Sequence, residues 1–432
     1  MKTIFILLAA IPSAMFGQQI ITDDLHNFWN AYDQIIAEKD SSKHLNLIKT
    51  LYINKGTPGL HGIMKARKYS AEEYVYAITH YPEFWKSIRK NTLKSDQFSE
   101  QIREGIKKLK NLYPNLKPVN TYFEIGILRT GGTTIDGMLL IGSEVALADK
   151  TVVTNEFDRK YPHLRSYFDT EPIKDIVFLN THEYIHTQQK ASSGHSLLAQ
   201  TMIEGVAEFL AEIALDKKSP NPQIYFGYKH EERIRSAYEK EMFSPYISNW
   251  IWNNTDNQFG MRDLGYFVGY AICKKYYEGS TDKKLAVKEM IELDYNNEDD
   301  LVAFVDRSKY FSRPLSVYKE EFERLRPKVI GIRQFKNESR NVSPGTKIIT
   351  LLFSQPMDKN TRGFDYGPPG EKNALKVQKV IGFSEDGKAF SFEVALEPGT
   401  QYQSVATENF RDRNDLPLQP FLISFQTSVN SR

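Results

Sequence analysis

Two histidines four residues apart, with a glutamate directly after the first, make up the segment His182-Glu183-Tyr184-Ile185-His186. The preceding run Ile176-Val177-Phe178-Leu179 reads as the buried side of one helix, and positions four apart share a helical face. Both imidazoles therefore reach one cation, and Glu183 projects beside them toward a water on that cation. Such a donor pair suits zinc, which acidifies a water until it is a nucleophile near neutral pH. The chemistry to expect is hydrolysis, with Glu183 as general base. With 9 His in 432 residues, chance produces this pattern on the order of once per hundred such chains, so a second signal is needed to carry the reading.

That signal is Glu204-Gly205-Val206-Ala207-Glu208-Phe209, which opens the next helical pattern. A catalytic zinc takes three protein ligands and keeps one position open, and a carboxylate from a neighbouring helix completes a His2Glu set. Glu204 is the expected third ligand. Glu208, one turn later, is placed to accept the N–H of a ligand imidazole, orienting the ring and raising its basicity. Val206, Ala207, Phe209 and Leu210 are apolar, so the two carboxylates sit on a partly buried helix, where each needs a partner. His195 is the competing ligand. A metzincin site requires a third histidine where Ser192 stands and a glycine where Gln189 stands, so that pattern is rejected.

His-Glu-x-x-His followed by Glu-Gly-x-Ala-Glu-Phe resembles the Glu-zincins, the group that includes thermolysin and the zinc aminopeptidases. More closely, residues from about Phe28 to Phe311 look like the family of predicted zinc-dependent proteases related to a gliding-motility lipoprotein. The matching elements are Tyr122-Phe123-Glu124-Ile125-Gly126, Gly131-Gly132-Thr133, Leu140-Ile141-Gly142-Ser143-Glu144, His182 to His186 with Gln188-Gln189, and Gly265-Tyr266-Phe267-Val268-Gly269-Tyr270. The resemblance implies a metallopeptidase with one Zn2+ per chain. It also implies a tyrosine beyond the third ligand that stabilises the oxyanion, for which Tyr266 and Tyr270 are the candidates. Packing is their alternative role, because Gly265 and Gly269 suggest close helix contact. The strand Met138 to Ile141 is then the edge that binds an extended peptide, with Leu140, Gly142 and Glu144 on the substrate side. Glu144 reads a substrate amine or is a plain surface carboxylate.

The elements that must hold these groups follow from periodicity. Residues 18–120 read as a helical cap: Phe28, Trp29, Tyr32, Ile35 and Ile36 follow helical spacing, as do Ile102, Ile106 and Leu109. Residues 121–326 read as a zincin-like, mostly helical α+β core. It opens with two strands, Tyr122 to Leu128 and Met138 to Ile141, separated by a turn at Thr130-Gly131-Gly132-Thr133. Six or seven helices follow from Ile173 to about Leu325, broken at Ser219-Pro220-Asn221-Pro222 and near Asn296-Asn297. From 327 to 432, strands at Lys347 to Phe353, Phe390 to Leu396 and Phe421 to Thr427, separated by Pro-Gly turns, predict an all-β sandwich. Stretches such as Phe353-Ser354-Gln355-Pro356-Met357-Asp358 and Leu396-Glu397-Pro398-Gly399-Thr400 resemble bacterial Ig-like domains.

Composition narrows the partners. Lys and Arg number 56 against 54 acidic residues, so no bulk field draws nucleic acid. Lys2 and the apolar run Ile4 to Phe16 read as an export signal over residues 1–17. A spanning helix needs roughly 20 apolar residues, so this run is not a membrane span. The one cysteine, Cys273, allows no internal disulfide and sits in an apolar pattern. The expectation is a soluble periplasmic or secreted enzyme acting on a peptide or protein, with surface or matrix contacts through the Ig-like domain. The rival is a non-catalytic exported binding or surface-assembly protein that keeps the fold.

Overall fold

The structure is a computed structural model and describes residues 18–157, 161, 163–191, 196–253 and 255–429. The expected export segment and the rejected ligand His195, with Ser192, lie outside the described residues. The chain is a mixed α+β protein that divides into two units. Among the described residues, one runs to 191 and adds 199–231 and 248–310; the other takes 196–198, 232–247 and 311–429. The N-terminal helices fall together with 121–191, 199–231 and 248–310 in the first unit.

Six helices open that unit: α1 (Asp23–Ala37), α2 (His44–Leu51), α3 (Pro58–Arg67), α4 (Ala71–His80), α5 (Pro82–Thr92) and α6 (Ser95–Leu112). Local chemistry starts them. Thr57 caps α3 ahead of Pro58, and Ser70 and Glu73 close a reciprocal capping box on α4. Their apolar faces meet around Phe28, whose ring lies 4.9–6.4 Å from those of Trp29, Tyr32, Tyr52 and Trp85. Ile102, Ile106 and Leu109 are buried as the spacing predicts, but Ile36 is 51% exposed. One position past Ile35, it has rotated beyond the buried stripe.

The first unit's sheet has the order β1-β2-β4-β3, from β1 (Ile20–Ile21), β2 (Thr121–Glu124), β3 (Thr133–Ile135) and β4 (Met138–Gly142). β2 runs parallel to β4, and β3 pairs antiparallel with it. Two expectations are corrected here. β4 is not an edge: β2 and β3 flank it, and β3 holds the border. The strand expected through Leu128 stops at Glu124, because side chains take the backbone groups a ladder would need. Tyr52 and Tyr74 donate to the Ile125 carbonyl, at 2.7 and 2.9 Å. Glu144 accepts the N–H groups of Gly126 and Leu128, both at 2.9 Å.

After α7 (Ser143–Ala146) and α8 (Leu164–Asp169), the described residues from 173 to 325 form eight helices rather than six or seven. These are α9 (Ile176–His186), α10 (Leu197–Leu215), α11 (Pro222–Lys229), α12 (Glu231–Tyr238), α13 (Leu264–Gly279), α14 (Lys283–Glu292), α15 (Glu298–Ser308) and α16 (Leu315–Leu325).

The second unit carries two antiparallel sheets: β5-β6-β9-β8 and β11-β10-β7. Their strands are β5 (Val329–Ile332), β6 (Ile348–Phe353), β7 (Phe364–Tyr366), β8 (Val377–Phe383), β9 (Ala389–Val394), β10 (Gln401–Ala406) and β11 (Phe421–Gln426). Inward residues of both sheets, among them Leu351, Phe390, Phe392, Ile423 and Phe425, share one core. Buried Arg326 donates to the carbonyls of Pro417 and Leu418 at 3.0 and 2.6 Å, so the end of α16 belongs with this unit.

Candidate metal centre

α9 is apolar on several sides, with Ile176, Phe178, Tyr184 and Ile185 all buried. It packs on α6 where a Cβ on Gly105 would meet Val177 Cγ1 at 3.0 Å. Tyr184 fixes its height by donating to the Lys117 carbonyl and accepting the Val119 N–H, each at 2.9 Å. The chain leading into β2 is thereby tied to the helix that bears His182 and His186. α10 brings Glu204 to the same point.

The three donors converge. His182 Nε2 and His186 Nε2 are 3.1 Å apart, and Glu204 Oε2 lies 3.6 Å from the first and 3.3 Å from the second. Donors placed tetrahedrally at zinc's bond lengths of about 2.0–2.1 Å stand about 3.3–3.4 Å from one another. The observed triangle has that size. All three side chains are at most 13% exposed, a setting that favours one partner for the group over separate hydration.

A polar partner on the far side of each ring orients it. Gln189 Nε2 donates to the Ile203 carbonyl at 3.0 Å and to Tyr295 Oη at 2.9 Å, which leaves Oε1 to face His186 Nδ1 at 2.7 Å. His186 Nδ1 must therefore carry a proton, and in the neutral ring the Nε2 lone pair is free for the centre. His182 Nδ1 lies 3.0 Å from Glu208 Oε2, with the same consequence. Glu208 is fully buried and is held by Asn221 Nδ2, 2.9 Å from both of its oxygens, and by the Ser219 hydroxyl.

Charge follows geometry. Burial opposes protonation of His182, but its bonds to Glu204 and Glu208 prevail and lift it to about 10. His186 is also raised: burial opposes this, and the Glu204 charge outweighs it. Burial alone would raise Glu204, yet the two histidines hold it well below the usual carboxylate range. A pocket that draws protons onto its imidazoles is one where a divalent cation can supply the same positive charge.

Glu183 lies against the loop before β3, and its charge acts on both imidazoles. A Cβ on Gly132 would fall 2.8 Å from Glu183 Oε1, so any side chain there would displace the carboxylate from this position. The tyrosine candidates separate. The Tyr266 ring stacks on His182, with centroids 6.2 Å apart at 15°. Burial, the Glu204 charge and a hydrogen bond to Glu204 push its hydroxyl well above the ordinary value. Tyr270 instead donates to Glu212 Oε1 at 2.9 Å and packs on Phe209, away from the triangle.

The substrate-side candidates are not open to substrate. Leu140 and Glu144 are 0% exposed and Gly142 is buried. Glu144 neither reads an amine nor lies on the surface; it holds the 126–128 backbone, and burial raises its pKa to about 7 against the two N–H bonds. Several contributors were not assigned from sequence: Gln189, Ser219, Asn221 and Gly132. Gln189 and Gly132 do stand inside motifs quoted above, and a polar residue three positions after a ligand histidine is a usable signal for ring orientation. Ser219 and Asn221 read only as a helix break.

No family model matches the chain, and no curated protein matches it. Three solved structures are similar in part. The N-terminal part of the bacterial S-layer protein SbsC has 11% identity and a TM-score of 0.19, covering 94% of this chain and 77% of that one. The S-layer protein rSbsC(31-844) has 11% identity and a TM-score of 0.18, covering 94% and 45%. Domains 1-6 of surface layer protein SbsC have 12% identity and a TM-score of 0.18, covering 76% and 45%. Likeness at these scores carries no argument about this chain.

Proposed function

We propose that this chain is a zinc-dependent metallopeptidase of the Glu-zincin type, exported, with an Ig-like β-sandwich that follows its catalytic residues in sequence. The observation that carries the reading is the triangle of His182 Nε2, His186 Nε2 and Glu204 Oε2, sized for one tetrahedral ion with Glu183 beside it. Export rests on Lys2 and the apolar run Ile4 to Phe16. Among the described residues no helix is long and apolar enough to cross a membrane.

When bound, zinc supplies Lewis-acid polarisation of a carbonyl and makes a water acidic. The chain's own residues do the rest. Glu183, free of any cationic side-chain partner among the described residues, takes a proton from the attacking water at its carboxylate and returns it to the leaving amine. The Tyr266 hydroxyl donates to the developing oxyanion. Glu208 and Gln189 keep both rings aimed while charge moves.

A peptide-library digest with wild type and Glu183→Gln tests this. Chelator-sensitive cleavage that the variant lacks supports the reading. Cleavage at equal rates by the variant, or peptide capture without any cleavage, removes it.

A further inference from the structure

Asp263 sits at the start of α13, three residues before Tyr266, with its own backbone in the left-handed region at φ 59. Its carboxylate takes Arg262 Nε at 2.6 Å and the backbone N–H of Trp252, and its N–H donates to Asn253 Oδ1 at 2.7 Å. Trp252 also has a positive φ, 55, which a bulky residue adopts only when its surroundings impose it, and its ring is 61% exposed. One residue thus ties together the backbone at Trp252, the Arg262 guanidinium and the helix that carries Tyr266.

The guanidinium is only partly used. Arg262 spends Nε on Asp263, while neither terminal amine has a protein partner among the described residues, and the side chain is 37% exposed. It is held at the start of the helix whose Tyr266, four residues on, stacks on His182. A planar fork with two free N–H-bearing ends matches a carboxylate in bidentate fashion.

Resting on the metallopeptidase reading, we propose that Arg262 anchors a substrate carboxylate beside Tyr266, so that the site favours peptides with a free C-terminus or an acidic side chain next to the cleaved bond.

The test compares cleavable peptides in three forms: free acid, C-terminal amide, and the amide with Glu in place of Gln beside the cleaved bond. Wild type should show a kcat/KM about 10- to 100-fold higher for whichever form carries the anchored carboxylate, and the two acidic forms tell the sources apart. Arg262→Gln should erase that preference, mainly through KM, and Arg262→Lys should restore part of it. Thermal melts and zinc content confirm that each variant is folded and loaded. Equal handling of all three peptides by wild type overturns the proposal, as does an equal loss on all three in Arg262→Gln. If wild type cleaves none of them, the peptidase reading fails, and the anchor is still read separately by calorimetry on zinc-loaded Glu183→Gln. There N-acetyl-leucyl-phenylalanine should bind about tenfold or more tighter than its amide, and equal affinities overturn the anchor.

Discussion

Gly205 of α10 and Gly269 of α13 meet backbone to backbone. A Cβ on Gly205 would stand 2.1 Å from the Gly269 carbonyl carbon, and one on Gly269 would stand 2.1 Å from the Thr201 carbonyl oxygen. Neither distance leaves room for any side chain, so the helices touch only because both positions are glycine. This contact sets the separation between the helix that supplies Glu204 and the one that lays Tyr266 over His182.

Gly269→Ala should therefore force the two helices apart. We expect a stability loss of about 1–3 kcal/mol in urea unfolding, the usual cost of overpacking, and a larger fractional loss of turnover than of zinc content. Melting and turnover both at wild-type level would show that the contact has slack.

Glu208→Ala removes the acceptor beside His182 Nδ1 and leaves Asn221 Nδ2 without its partner. Zinc affinity should fall about 10- to 100-fold, measured by competition with a chromophoric chelator. Unaltered affinity would mean that Glu208 does not orient the ring.

The metal-free protein should have a distinctive pH profile. His182 is raised from its ordinary 6.5 to about 10, so its contribution to stability is complete below pH 6.5 and is lost as pH rises through about 10. Glu204 is held below its ordinary 4.5, so its contribution is present above that value and is lost as pH falls. Urea midpoints of the metal-free chain should drop from pH 6.5 upward, and His182→Gln should flatten the drop. Zinc reverses the sign: ligation needs unprotonated rings, so affinity rises with pH and binding releases protons to the buffer.

Tyr266→Phe and Tyr270→Phe separate two residues one turn apart. Loss of the Tyr266 hydroxyl should lower kcat about 10²-fold or more with zinc retained. Loss of the Tyr270 hydroxyl removes its bond to Glu212, so stability should fall by about 1 kcal/mol while kcat stays within a few-fold of wild type. Reversed effects would exchange their roles.

The convergence of His182, His186 and Glu204 was legible in sequence because helical spacing alone puts the two histidines on one face, and because a carboxylate pair on an apolar helix needs a partner. Which tyrosine faces the triangle was not legible. Tyr266 and Tyr270 share a helical stripe, and contacts between helices separate them: Tyr266 stacks on His182, and Tyr270 pairs with Glu212. The misplaced edge strand has a similar cause: Thr133–Ile135 is three residues long and follows two glycines, so its local pattern is that of a turn, and only its pairing with Met138–Leu140 makes it a strand. Glu144 was misjudged because a carboxylate reads as solvent-facing unless its acceptors' donors are known, and here they are backbone N–H groups of a distant loop. In the second unit the long apolar strands β6, β9 and β11 were readable, whereas β8, exposed along most of its length, carried no such pattern.

Zinc content per chain tests the central claim most directly. Purified wild type and Glu183→Gln, reloaded and dialysed, should each retain one zinc per chain by elemental analysis, and His186→Ala should retain none. A wild type that holds no zinc, or a His186→Ala variant that holds as much as wild type, would contradict the account.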